Sequence, residues 1–290
     1  IGIFFADSFY LILTIMMVMS IFTSSTLPLT ESLTLSHLSS SKANGNYSRI
    51  RLWGSIGFIC ASFSLGFIID LKGINALIYA ILLTHIVILF FAMHMPEKII
   101  KDVTIKKRSI LTVILNPQVI CILIGCALMV SAHGLLYNFY SIFLRENNYS
   151  NFTIGILWSI GVVCEILIFL FIPKILKVIN IKQIILISLA FAVLRFFLIG
   201  SYTDNLLIII LAQMMHALTF GAFHVGSIHM IEYFFNEDHH ARGQSIYNSI
   251  TYGVGGTVGG IGGGVMINNY GADVTFTFSA ILPLLAFAII

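Results

Sequence analysis

Long apolar stretches separated by short polar ones run through the whole chain. A helix needs about 20 mostly apolar residues to cross the hydrocarbon of a bilayer. After a short apolar stub, nine stretches meet that requirement, near residues 9–37, 52–69, 74–95, 114–144, 152–173, 181–202, 205–233, 244–268 and 273–290. Several exceed 25 residues, which predicts tilt or helices that project past the bilayer. The pattern predicts an all-α protein, a polytopic transmembrane helix bundle.

Composition agrees with that pattern. Of the 290 residues, 58% are hydrophobic and 9% charged, against about 25% charged in a soluble domain. Such a surface suits lipid, where apolar side chains face outward without cost. The net charge of +3 says little until the cations are placed. One set of alternate loops holds Lys42, Arg49, Arg51, Lys98, Lys101, Lys106, Lys107, Arg108, Lys174, Lys177, Lys182 and Arg242; the other holds Lys72 and Arg145. Twelve against two assigns the first set to the cytoplasm. The fifteenth cation, Arg195, falls inside a span.

The basic loop 96–113 divides the spans. Six follow it; three full spans and the stub precede it. Transporters built from two six-helix halves have this layout. The expected organisation is residues 1–95 as the remainder of an N-terminal bundle, 96–113 as a central cytoplasmic loop, and 114–290 as a C-terminal bundle. The chain opens at Ile1 and stops at Ile290 inside apolar runs, so truncation at the N-terminus is also expected. Cys60, Cys121, Cys126 and Cys164 lie in apolar runs without zinc-type spacing and read as small hydrophobes. Gly255, Gly259 and Gly263, with Gly256, Gly260 and Gly264, recur four apart, a spacing that lets helix backbones approach closely. Static packing and a pliable, sliding helix are both compatible with it. Pro28 is expected to kink the first span.

A charge at the bilayer centre costs about 2.5–3.5 kcal/mol on insertion scales and therefore faces a cavity or a partner. Glu31, Glu165, Arg195 and Glu232 are such charges, joined by His85, His133, His216, His224 and His229. Glu165 and Arg195 sit mid-span on successive antiparallel segments. They read either as a structural ion pair or as a protonatable acid tuned by a movable cation. His216 lies at similar depth and is a candidate third member of that proton-coupling set. His224, eight residues on, shares its face. Glu31 follows the Pro28 kink and is a candidate cavity residue. Arg51 opens the next span, where it snorkels or pairs with Glu31. Glu232 reaches the interface or acts with Arg51 as a gating charge. His133, Tyr137, Phe139 and Tyr140 cluster as belt residues or as an aromatic wall of a substrate cavity.

Other chemistries lack their marks. No glycine-rich loop ends in Lys-Ser/Thr, so no nucleotide-driven engine is present. His239 and His240 form a single doubtful histidine box in a polar loop. An enzyme, a cofactor and a nucleic-acid partner are not expected. A membrane-embedded histidine metalloenzyme and a non-transporting sensor or scaffold remain as alternatives.

The segments RLWGSIGF, GILWSIGVVCEILIF, AFAVLRFFLIG and MMHALTF resemble the phenylpropionate permease branch of the major facilitator superfamily, which is similar to the oligosaccharide and nucleoside proton symporters. The resemblance runs from the end of the third family helix into the twelfth. It implies a two-bundle fold with a central cavity and alternating access; a monomer in the plasma membrane, the inner membrane in a bacterium, is expected. It also implies proton-coupled import of a small organic solute, of aromatic acid, sugar or nucleoside class. The related sugar symporters carry acids on helices four and eight, an arginine on nine and a histidine on ten. Glu31, Glu165, Arg195 and His216 match those helices. A further acid three residues past that histidine is Thr219 here, a departure from their proton site. The first two helices and the motif after the second lie outside the chain.

Overall fold

A computed structural model describes residues 2, 6–24, 30, 47–94, 110–235 and 240–290. No strand occurs among them. Eight of the described helices are long and apolar enough to cross a membrane, and the protein is an integral membrane protein; the first of the nine expected spans, near 9–37, is described only in part. Pro28, Glu31, the basic loop through residue 109 and His239 lie outside the described residues, as does the side chain of Arg51.

The chain divides into two compact units, Ile1–Thr104 and Ile105–Ile290. The first contains α1 (Phe9–Ser24), α2 (Tyr47–Lys72) and α3 (Asn75–Met93). Helices α2 and α3 form a pair joined at Gly73, whose φ of 79° is the left-handed conformation glycine adopts freely. No residue of α3 is buried.

The second unit holds six spans. They are α4 (Pro117–Glu146), α5 (Asn151–Ile175), α6 (Ile181–Ser201), α7 (Leu206–Phe234), α8 (Arg242–Tyr270) and α9 (Ala272–Ile289). Four of them open on a side chain that caps the first turn. Asn116 accepts from Gln118 N at 2.9 Å, Ser150 from Thr153 N at 3.1 Å, Asn180 from Gln183 N at 2.9 Å and Asn205 from Leu207 N at 3.1 Å. These caps satisfy amides that the first helical turn leaves without partners.

Helix α4 is the hub, with 72% of its apolar window buried. Leu136, Tyr140 and Leu144 of α4 belong to the same apolar core as Ile185, Leu189 and Phe196 of α6. Helix α8 lies against the other face of α4. A Cβ on Gly255 would fall 2.6 Å from the carbonyl oxygen of Ala127, and one on Gly259 would overlap the carbonyl of Ser131. The Ser131 hydroxyl donates across to the carbonyl of Gly255 at 2.9 Å.

Two spans depart from the plain helices that periodicity predicts. Helix α7 contains a π-helical stretch at Ala217–Ala222, and α8 contains another at Ser249–Gly255. Such turns widen the helix by one residue and commonly mark functional positions.

Candidate functional site

Arg195 is fully buried in the second unit. Its Nη1 donates to Thr219 Oγ1 at 2.9 Å, to His216 Nδ1 at 3.1 Å and to His133 Nε2 at 3.4 Å; its Nη2 donates to Gln213 Oε1 at 3.2 Å. The guanidinium carbon lies 5.9 Å from the centre of the Phe196 ring, within cation–π range. One donor, Nε, is buried without a hydrogen-bond partner, and so is Gln213 Nε2.

These contacts assign the histidine tautomers. A guanidinium N–H can only donate, so His216 Nδ1 and His133 Nε2 accept. His133 Nδ1 donates to the Met129 carbonyl at 3.0 Å. His133 therefore carries its proton on Nδ1. Neutral His216 carries its proton on Nε2, the atom 3.6 Å from Glu165 Oε2. His216 thus stands between the acid and the cation, and the polar string runs Arg195–His216–Glu165. The acid and the cation offset each other's charge in a medium that solvates neither.

Local sequence explains the close approach. Gln213, His216 and Thr219 recur three apart and present three polar groups from α7 to one guanidinium. On α5, Gly161 leaves room beside Gln213 and His216. Gly221, inside the first π stretch, leaves room for Glu165; a Cβ there would lie 3.2 Å from Glu165 Cγ and 2.8 Å from Ile168.

An open groove of about 540 Å³ runs along the seam of α4 and α8. Tyr137, Asn138, Tyr252 and Thr257 line it with Gly256 and Gly260, and no charged side chain does. Tyr137 stacks on Trp158, with ring centres 6.0 Å apart, and meets His216 and Phe220 edge-on. His216, Phe220 and His224 form a column of near-parallel rings, at 5.2 and 6.1 Å. The Tyr252 hydroxyl lies 3.1 Å from His224 Nδ1.

The structure brings Glu165, Arg195, His216 and His133 together. It sets two of the aromatic cluster differently from a belt or cavity wall. His133 is buried as a partner of Arg195, and Tyr140 is buried in the core with its hydroxyl unpartnered. His133 faces Arg195 and Phe196 of α6, and Tyr140 meets Trp158 of α5 and Phe276 of α9 edge-on, while Tyr137 and Phe139 reach the groove. Glu232 is exposed near the end of α7. Gln213, Trp158, Phe220, Tyr252, Asn138 and Thr257 were not singled out from the sequence. For Gln213 a signal existed, the three-residue spacing to His216 and Thr219 within an apolar run. Among the described residues no group of three or more His, Cys, Asp or Glu could hold a metal ion.

Known proteins resemble this chain over most of its length. The model of the MFS_1 like family matches residues 1–278. The chain is 26% identical over 189 residues to a probable 3-phenylpropionic acid transporter of Escherichia coli K12, covering 64% of this chain and 50% of that protein. It is 24% identical over 294 residues to the uncharacterized transporter YwbF of Bacillus subtilis 168, covering 98% of this chain and 70% of that one. A maltose permease of Geobacillus stearothermophilus is 33% identical over 92 residues, 32% of this chain and 23% of the permease. The match thus spans half the length of the first of these relatives. The solved structure of the nucleoside transporter NupG agrees in fold, with a TM-score of 0.78 at 19% identity over 91% of this chain and 72% of that one. All of these relatives are named as transporters or permeases, not as enzymes.

Proposed function

The chain belongs to the MFS_1 like family, and from that membership we propose that it is a secondary transporter importing a small organic solute together with a proton. The observation that carries this reading is the buried string in which His216 lies 3.1 Å from Arg195 and 3.6 Å from Glu165. An ionisable trio inside hydrocarbon is costly, and a static core gains little from it, because apolar side chains of similar volume fill such a site at least as well.

Glu165 is the proton carrier in this mechanism. Desolvation favours the neutral carboxyl, and a nearby guanidinium favours the carboxylate. Arg195 acts on Glu165 through His216, whose Nε2–H faces the carboxylate. A shift of α5 relative to α7 that lengthens the Glu165–His216 contact weakens that influence, and the acid takes up a proton. The reverse shift releases it. Alternating access supplies the shift, with solute bound in one orientation and released in the other. Thr219 keeps the site at one acid, because its hydroxyl accepts from Arg195 without adding charge.

The solute belongs to the aromatic acid, sugar or nucleoside class, the classes named for the relatives. The transporter works as a monomer in the plasma membrane, the inner membrane in a bacterium. In the first unit, Glu31 is a candidate cavity residue and Arg51 a candidate gating charge.

Glu165→Gln tests the mechanism in membrane vesicles carrying the intact protein. An imposed inward proton gradient drives uptake of radiolabelled 3-phenylpropionate, maltose or uridine, and external pH records proton entry. The expected result is loss of uphill accumulation and of solute-linked proton uptake, with solute exchange retained. Accumulation and proton uptake equal to wild type would remove Glu165 from the coupling role.

A further inference from the structure

Two observations stand outside the proton string. The first is the hydrogen bond between His224 Nδ1 on α7 and the Tyr252 hydroxyl on α8, 3.1 Å long. The second is that both π-helical stretches lie beside it. His224 follows the first, Ala217–Ala222, by two residues, and Tyr252 lies within the second, Ser249–Gly255. Tyr252 also lines the groove along α4 and α8, with Tyr137, Asn138 and Thr257.

We propose that Tyr252 and His224 form a clasp that couples solute occupancy of the α4–α8 groove to the Glu165–His216–Arg195 string. The inference rests on the transport reading above and assigns positioning roles to two residues. A π stretch closes its backbone bonds one residue later than an α-helix. Conversion to α-helix therefore turns everything beyond it by about 100°, one residue's share of a 3.6-residue turn. The first π stretch separates His216 from His224 on α7. Holding His224 to α8 fixes the register of the far side of that stretch; releasing it lets the stretch relax and swings His216 and Thr219 relative to Arg195. The near-parallel column His216–Phe220–His224 ties the two ends together.

The groove supplies the trigger. Its lining is uncharged, and its polar groups are the hydroxyls of Tyr137, Tyr252 and Thr257 and the amide of Asn138. This suits a ring-bearing part of a solute that carries hydroxyl or amide substituents, stacked against the tyrosines. A solute hydrogen-bonding to the Tyr252 hydroxyl competes with His224 for it. Solute binding thereby opens the clasp, and the opened clasp moves His216. The groups facing the clasp are Tyr247, hydrogen-bonded to Tyr252 and edge-on to it at 6.0 Å, Tyr137, edge-on to Phe220 at 6.2 Å, and, near Tyr252, Cys126 on α4 and Glu165 on α5.

The test separates coupling from binding. In vesicles carrying the intact protein, Tyr252→Phe keeps the ring and removes the hydroxyl. The probe is whichever of 3-phenylpropionate, maltose or uridine wild type accumulates. Uphill accumulation is expected to fall about three- to tenfold, the weight of one hydrogen bond. Exchange at equal solute concentration is expected to fall as well in this variant, because the hydroxyl also bonds the solute; in His224→Ala, which leaves the groove lining intact, exchange should stay within about twofold, because occupancy itself needs no clasp. His224→Ala should reproduce the loss, His224→Gln should recover part of it, and the double variant His224→Ala with Tyr252→Phe should be no worse than either single one. Losses of accumulation that add, or exchange in His224→Ala falling in step with its accumulation, would overturn the clasp and leave Tyr252 a plain solute contact. Normal accumulation in both single variants would overturn it too. Wild-type vesicles without solute-linked proton uptake would overturn the transport reading itself, and the clasp with it.

Discussion

The two faces of α4 pack by different means. Ala127, Ser131, Gly134 and Asn138 fall within one side of the helix, and Met129, His133, Leu136 and Tyr140 fall on the other, about half a turn away at 3.6 residues per turn. The first side meets α8 through backbone, with Gly255 against Ala127, Gly259 against Ser131 and Gly134 against Gly256. The second side meets α6 and α7 through large side chains and the polar contacts of Arg195. Lipid offers no hydrophobic gain for helix association, so close packing and interhelical hydrogen bonds remain. The seam with α8 uses the first of these, and the knot around Arg195 uses the second. A seam of glycines can slide because few side chains interlock across it; a knot of directed hydrogen bonds has discrete arrangements. The transport proposed above needs both, one part to move and one part to switch.

The sharpest way to break the comparison is to add a side chain to the seam. Gly259→Leu places carbon where the Ser131 carbonyl already sits. Overpacking costs about 1–3 kcal/mol and occasionally more, and here the obstacle is backbone, which cannot rotate away. Loss of a monodisperse, folded peak in fluorescence-detected gel filtration is expected. Gly262→Leu, on the same helix with nothing within 4 Å, is the control and should fold normally. If both fold alike, α8 does not lie on α4 through this glycine face.

Removing the centre of the knot comes next. Arg195→Met leaves Gln213 and Thr219 without their donor and Glu165 without its compensating cation. Breaking a buried charge pair costs about 3–5 kcal/mol, read as a lowered midpoint of thermal unfolding in detergent. The additional change Glu165→Gln removes the stranded charge and should recover part of that loss. A double variant less stable than Arg195→Met alone would refute the charge balance between them.

The smallest expected effect belongs to a directed bond in the seam. Ser131→Ala removes the hydroxyl that donates to the carbonyl of Gly255. Interhelical hydrogen bonds in membranes average about 0.6 kcal/mol, so the unfolding midpoint should fall by about 2 °C. A drop as large as that of Arg195→Met would mean that the seam also depends on directed bonds.

Much of the site was legible before folding. Glu165, Arg195 and His216 stand out because ionisable side chains are rare in apolar runs and must find partners there. Their order of contact was not legible. Facing helices pair an acid with a cation on sequence grounds, whereas in the fold His216 lies between them. His133 and Tyr140 share a segment with Tyr137 and Phe139, and only the rotation of α4 separates those that support Arg195 and the core from those that line the groove. The π stretches at Ala217–Ala222 and Ser249–Gly255 leave no mark in hydrophobic periodicity, because each adds a single residue to one turn. Gly255, Gly259 and Gly263 face α4, whereas Gly256 carries the same four-residue spacing and a Cβ there would meet nothing within 4 Å.

By itself the sequence determined the apolar spans and the short inventory of ionisable groups inside them. Those follow from local causes: each span satisfies its own backbone hydrogen bonds, and each loop cation stays in water. Only the tertiary structure decided that His133 and His216, sixty-two and twenty-one residues from Arg195, accept from the same guanidinium, and that Tyr252 reaches His224. Such contacts depend on how each helix is rotated about its axis, and in a chain apolar on nearly every side that rotation is set by its neighbours.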